Sequence, residues 1–319
     1  MIVMVFNPFK RNKKENIIDG DYVTRKEFNR LKRQIDTHQD YLNNIFIFYE
    51  LEPTPFLEEM RTLSYELLTF FDNVCKKYGL EYWLDYGTLL GAIRHRDFIP
   101  WDDDLDVGMM RKDILKLAEV FQSEIDGNGL ENVNCAYKID KHDKVSQRWF
   151  QINFKRPEFK GKFVGIDVFP YDYIEDPKNI EDKYYDSRAK FYKRRQDGMD
   201  INDVVDELFS ELNLSFERQD YIVPGVENVR GKVNIYPFAV METDDVFPTH
   251  KVKFGKSSLS APKDSHGYIK KVYGKRYMEI PSKIRDHGRL NRYVKQPHIM
   301  DMLKESNAML KKANENFKF

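Results

Sequence analysis

Cysteine is nearly absent. Cys75 and Cys135 are the two in 319 residues, too few for the disulfide framework that holds small secreted domains together. With seven histidines and no Cys/His cluster, a structural zinc site is not expected. Neither sign of charge is in excess, because 52 Lys plus Arg balance 52 Asp plus Glu. A general nucleic-acid binder is usually basic, so nucleic acid is not an expected partner. The apolar start, MIVMVF, falls far short of the roughly 20 residues that cross a bilayer. Its basic run, KRNKK, follows it, which is the wrong order for a secretory signal. A peripheral touch on an anionic membrane surface stays open there, beside the plainer reading of a frayed terminus. The chain also lacks a GxxxxGK[ST] loop and a GxGxxG turn after a strand.

What is present concentrates between Tyr82 and Arg111: YWLDYGTLLGAIRHRDFIPWDDDLDVGMMR. Asp102, Asp104 and Asp106 alternate with Asp103, Leu105 and Val107. A strand repeats its facing every two residues, about 6.5–7 Å apart, so the three carboxylates share one face while Leu105, Val107 and Met109 point inward. Carboxylates held close disfavour one another's charge, and a divalent cation relieves that. Hard oxygen ligands suit Mg²⁺, Mn²⁺ or Ca²⁺. An acidic surface turn capping a helix is the alternative for the DDDLD run alone. A calcium loop of the EF-hand kind does not fit, since its sixth and twelfth positions would be Val107 and Asp113 rather than Gly and Glu.

Upstream, Glu81–Tyr86 reads as a strand, and Gly87-Thr88 opens a helix-like LLGAIRH segment. A strand, a small-residue turn and a helix N-terminus make a corner for anions. Arg94, His95 and Arg96 follow within reach of a phosphate. A phosphate corner beside a carboxylate strand is equipment for metal-assisted phosphoryl or nucleotidyl transfer.

Three stretches resemble the LicD family, which includes the fukutin-related transferases and belongs to the nucleotidyltransferase-fold superfamily. They are Asp85–His95 with Ile99–Val107; Gly165-Ile166-Asp167-Val168-Phe169-Pro170; and a C-terminal region from Phe247-Pro248 to Pro281. A double proline usual in the family near the end of that region is here Pro281-Ser282. The resemblance spans about residues 60 to 285. It implies an α+β fold: a nucleotidyltransferase-like mixed β-sheet flanked by helices, with a helical insertion and helical terminal extensions. It also implies transfer of an alcohol phosphate (phosphocholine, glycerol phosphate or ribitol phosphate) from a CDP-linked donor to a glycan hydroxyl, free or lipid-linked. By the family pattern, Asp104, Asp106 and Asp167 would hold Mg²⁺ or Mn²⁺. Asp102 stands close by as a further catalytic carboxylate, and Gly87 and Thr88 lie against the donor phosphates. The shortage of cysteine is consistent with a reducing cytoplasm, where the inner membrane face would supply a lipid-linked acceptor.

The expected organisation is an N-terminal extension (1–55), a catalytic domain (56–290) with an insertion at about 174–234, and a C-terminal helix (291–319). Phe56–Tyr78 has strong amphipathic helical spacing and ends at Gly79, a C-cap position. Val145–Phe154 and Lys162–Phe169 read as two strands of a hairpin turning through Pro157 and Gly161. Asp167 on the second faces the metal or else caps the bend before Pro170. Arg148 on the first reaches a donor phosphate or pairs with an acidic neighbour.

Two rivals use the same residues differently. A strict nucleotidyltransferase would attach a nucleoside monophosphate to a protein or small molecule. A glycan-binding or scaffolding protein would have no activity at all.

Overall fold

A computed structural model describes residues 24–48, 54–140, 147–155, 163–228, 238–280, 293, 295–296 and 298–318. Expectations for the first residues, the Pro157–Gly161 turn and Pro281-Ser282 lie outside them. The chain divides into two compact units, Met1–Phe48 and Tyr49–Phe319. In the first, a helix α1 (Arg25–Phe48) opens on Thr24, whose hydroxyl pairs with Glu27 three residues on.

The second unit is built on α2 (Pro55–Tyr78). Thr54 caps its start by accepting from Leu57 N, and Pro55 sits where a helix wants no N–H. Gly79, at φ 64°, closes its end in the left-handed conformation. Leu63, Leu67, Phe70, Phe71 and Val74 are wholly buried along one face. Phe70 and Phe71 meet Phe121 of α4 (Arg111–Gly127) edge-on and tilted. The last helix, α9 (Ile299–Glu315), lies along α2. Asn307 donates to Glu59 and Asn314 to Glu66, so the two helices run in the same direction.

The sheet is mixed. β1 (Trp83–Leu84) pairs antiparallel with β2 (Leu105–Met110), and β2 pairs parallel with β5 (Val164–Ile174). β4 (Gln147–Phe154) and β3 (Val133–Asp140) follow antiparallel on the far side of β5. Helices flank this sheet, as expected. The interval from 174 to 234 is not purely helical. After α5 (Ile180–Gln196) and α6 (Ile201–Glu211), β6 (Tyr221–Pro224) returns to pair with the far end of β5. β7 (Met241–Glu242) adds to β6, a short helix α7 (Thr243–Val246) follows, and β8 (His250–Phe254) and β9 (Ser257–Ala261) form a separate hairpin before α8 (Ser265–Tyr273).

The inward alternation of β2 is as the sequence predicts: Leu105, Val107 and Met109 are at most 1% exposed. The strand begins later than expected, at Leu105. Asp102 N bonds back to Ile99 O, and the Asp102 carboxylate accepts from Asp103 N, so a turn occupies the positions read as strand.

One buried ion cluster ties the 174–228 segment to the sheet. Arg111, at the start of α4, donates to both oxygens of Asp172 on β5 (2.6 and 2.7 Å) and both oxygens of Glu227 (2.8 and 2.7 Å). The two carboxylates hold the Arg111 guanidinium well above its ordinary range despite burial. Arg111→Met leaves two buried carboxylates uncompensated. It is expected to lower unfolding stability by about 3–5 kcal/mol, the range for breaking a buried pair from one side, read by denaturant titration. A change under about 1 kcal/mol would show that solvent reaches the cluster.

Candidate active site

The site begins with strand register. In the parallel β2–β5 pair, Asp106 is the partner of Asp167. Neighbouring strands lie about 4.8 Å apart, so these two residues stand side by side on the face opposite Val107 and Val168.

α3 (Tyr86–His95) brings the corner to them. Its N-cap, Asp85, is fully buried. Asp85 Oδ1 accepts from Tyr86 N (2.8 Å) and the Tyr268 hydroxyl (3.0 Å), and Oδ2 accepts from the Tyr171 hydroxyl (2.6 Å). Trp83 Nε1 donates to the Tyr268 hydroxyl (3.1 Å), closing a network among β1, β5, α3 and α8. Burial pushes the Asp85 carboxyl up to about 6, against the pull of the hydrogen bonds it accepts. Tyr86 is held at φ 37°, an uncommon backbone conformation for a side chain of that size. Gly87 follows, and a side chain there would push an acidic neighbour aside. A Cβ there would lie 2.7 Å from Asp102 Oδ2 and 3.8 Å from Asp106 Oδ2. Those two carboxylates therefore converge on the first turn of α3 although Asp102 lies outside the strand.

The other residues singled out from sequence divide into two groups. Asp104 immediately precedes β2 and is half-buried, with Asp103 (5% exposed) buried beside it. Thr88 is buried, and its hydroxyl accepts from Asp106 N (2.7 Å), lashing α3 to β2. Arg94 is also buried; it donates to the carbonyls of Tyr277 (2.8 Å) and Glu279 (3.2 Å) and to His95 Nε2 (3.0 Å). Burial draws the Arg94 guanidinium down to about 10, while the charge of Asp102 supports it. Burial, with Arg94 and Arg61 nearby, drives His95 down to about 4, so it is a neutral imidazole at pH 7.

Arg148 is on the wrong face for a phosphate at this site. Phe150 pairs with Val168 and Gln151 with Asp167, so alternation puts Arg148 on the Val168 side. There it donates to Asn202 (2.6 Å), lies 3.8 Å from Glu227 and covers the Tyr137 ring. Of the two readings of Arg148, the acidic neighbour is the one the structure holds.

Four further residues contribute to the site beyond those expected from sequence. Asp85 lies at the head of the first motif, and an Asp before a small-residue helix start is an N-cap signal. Trp149 and Gln151 both donate to Asp167 Oδ1, at 2.8 and 2.5 Å. Arg61 on α2 donates to the Ile99 and Pro100 carbonyls (3.1 Å each) and so holds the loop that delivers Asp102. No local sequence signal marks Arg61.

Among the described residues, no three His, Cys, Asp or Glu side chains close into a group that would enclose a metal ion. The residues present still fit Mg²⁺ or Mn²⁺. The donor set is all carboxylate, and Mg²⁺ is usually held by one or two carboxylates with waters and substrate phosphates rather than by a complete protein cage.

Residues 79–202 match the family model described as LicD/FKTN/FKRP, nucleotidyltransferase domain. The match continues through α5, past residue 174, the expected start of the insertion. Among curated proteins, the chain is 43% identical over 128 residues to the lipopolysaccharide cholinephosphotransferase LicD of Haemophilus influenzae, covering 39% of this chain and 48% of that one. It is 27% identical over 124 residues to human ribitol 5-phosphate transferase FKRP, covering 39% and 23%. It is 22% identical over 237 residues to mannosyltransferase regulator 4 of Saccharomyces cerevisiae, covering 73% and 19%. The chain thus spans about half or less of the length of these relatives. The glycine corner, the turn with Asp102 and the paired strands of Asp106 and Asp167 all fall within residues 79–202, the part of the chain that matches the LicD/FKTN/FKRP family model.

Proposed function

We propose that this protein is a metal-dependent transferase. It moves an alcohol phosphate from a CDP-linked donor to a hydroxyl of a glycan or of its lipid-linked precursor. The observation that carries this reading is the register of Asp106 with Asp167 on adjacent parallel strands, beside a glycine-bearing helix start. The similar proteins named for cholinephosphate and ribitol 5-phosphate transfer support the class of reaction.

Asp106 and Asp167 would hold Mg²⁺ or Mn²⁺, with Asp104 alongside as the third carboxylate. The bound ion would supply Lewis-acid stabilisation of charge on the phosphoryl oxygens. Gly87 and Thr88 contribute backbone N–H groups of the first turn of α3, which no intrahelical bond uses, to the donor phosphates. Thr88 does this through its backbone, since its hydroxyl is engaged with Asp106 N. Arg94 and neutral His95 shape the corner rather than meeting the donor as free cations. Asp102, which lies beside Gly87, would orient the acceptor hydroxyl and take its proton. The acceptor oxygen forms a bond to the phosphorus of the alcohol phosphate, the bond to the cytidylate oxygen breaks, and CMP leaves. Among the described residues no helix is long and apolar enough to cross a membrane. In this reading a cytoplasmic enzyme meets a lipid-linked acceptor peripherally, at the inner membrane face.

CDP-choline, CDP-glycerol and CDP-ribitol, each offered with Mg²⁺ or Mn²⁺, should separate this function from its nearest rival. Labelled cytidine is expected to leave as CMP. Its retention on an acceptor would identify a strict nucleotidyltransferase instead.

Asp106→Asn and Asp167→Asn should each lower CMP release by at least about 10²-fold with the fold unchanged by circular dichroism. Arg148→Met, on the other face, should reduce Tm while turnover per folded molecule stays within about threefold, because changes away from the reacting groups leave transition-state binding intact.

His95 gives a pH signature. Its folded value of about 4 lies below its ordinary value of 6.5, so its contribution to stability is present above pH 6.5 and is lost as pH falls toward 4. His95→Gln should flatten that part of the curve of Tm against pH; an unchanged curve would place the imidazole in water.

A further inference from the structure

β4 presents three polar-tipped side chains on the face that carries Asp167: Trp149, Gln151 and Asn153. Their alternates, Phe150, Ile152 and Phe154, are at most 2% exposed and serve the core. Gln151 and Asn153 are themselves 4% exposed, and buried amides weaken a fold unless their hydrogen bonds are made. They are not fully made, because Asn153 Oδ1 is buried without a hydrogen-bond partner. Stability alone does not account for this row.

Its hydrogen bonds run toward one atom. Asn153 Nδ2 donates to Gln151 Oε1 at 2.5 Å. That bond takes the amide oxygen of Gln151 and turns its NH₂ toward β5, since the opposite orientation would set an oxygen against a carboxylate. Gln151 Nε2 then donates to Asp167 Oδ1 at 2.5 Å, and Trp149 Nε1 donates to the same oxygen at 2.8 Å. Neither of these donors bonds Oδ2. Trp149 is held in place in turn, its ring tilted against Phe169 at 6.3 Å between centroids. Phe169 also meets Tyr86 edge-on at 5.1 Å, which links the row to the start of α3.

We propose that Trp149, Gln151 and Asn153 are positioning residues that fix the orientation of the Asp167 carboxylate, through Oδ1, for the divalent cation it would hold with Asp106. This rests on the metal-dependent reading above. A ligating carboxylate is a precise ligand only when its own rotation is stopped, and partners of this kind are typically worth 10–100-fold in metal affinity or activity. Two donors on one oxygen stop that rotation. The alternation of β4 assigns the task to one strand face, so the same strand builds the core and aims the ligand.

The test is Mn²⁺ binding to the purified full chain, followed by electron paramagnetic resonance, for wild type, Trp149→Phe and Gln151→Leu. Trp149→Phe keeps an aromatic ring and removes only the N–H donor. Each variant is expected to weaken Mn²⁺ binding by about 10–100-fold. The Mg²⁺ concentration for half-maximal CMP release should rise in parallel, with kcat at saturating Mg²⁺ largely kept. Affinity unchanged in both variants, with wild-type binding intact, overturns the positioning role. A fall in kcat at every metal concentration with unaltered Mn²⁺ affinity also overturns it, as that is the mark of a purely structural residue. No Mn²⁺ binding by the wild type overturns the metal-dependent reading itself, and the two failures are thereby told apart.

Discussion

The parallel pairing of β2 with β5 is the constraint on which the rest of this molecule depends. Two strands 60 residues apart in sequence must be brought together in one register, Asp106 beside Asp167, and a slip of one residue would send either carboxylate into the core. The register is protected by what lies on the reverse face. Leu105, Val107 and Met109 on β2, and Ile166 and Val168 on β5, are all at most 1% exposed. Burial of that face specifies the position of the acidic one. The charged face is held as a by-product of hydrophobic packing, which is why a cluster of like charges persists where it would otherwise disperse.

The corner beside those strands is held by polar bonds instead. Asp85 gathers two tyrosine hydroxyls and the first N–H of α3, and Thr88 ties the next residue of the helix to Asp106 N. The two tyrosine bonds are buried and the other two partly so, and a buried bond is costly to leave half made. The result is a helix start that cannot shift relative to β2 without breaking several of them. Gly87 then lets the Asp102 carboxylate come close enough to share the corner, and Arg61 secures the loop that delivers it. Asp102 reaches the site by a turn, and Asp106 and Asp167 reach it by strand register.

The two faces of β5 separate two kinds of electrostatics. On the Val168 side, Arg111 bonds both oxygens of Asp172 and of Glu227, and Arg148 lies beside Glu227 as a second cation. On the Asp167 side, the neutral groups Trp149 Nε1 and Gln151 Nε2 donate to Asp167. The two faces thus differ in what their carboxylates meet, arginine on one and neutral N–H donors on the other.

The sequence by itself determined the elements with strong periodicity and the residues with distinctive chemistry. The α2 pattern from Phe56 to Val74, its Gly79 cap and the inward alternation of Leu105, Val107 and Met109 were legible because burial repeats at fixed intervals along the chain. The glycine corner and the aspartates were legible as a group because they are close in sequence. Tertiary structure alone decided which side of the sheet each distant residue would occupy. It set Asp167 beside Asp106, put Arg148 on the other face, turned Arg94 to the Tyr277 and Glu279 carbonyls, and ended the acidic run in a turn before the strand. Local spacing carries no information about strand register or about partners contributed from 38 to 185 residues away, such as Arg61 for Ile99 and Tyr268 for Trp83. Those choices are made by the collective packing of the core, which no short stretch of the chain contains.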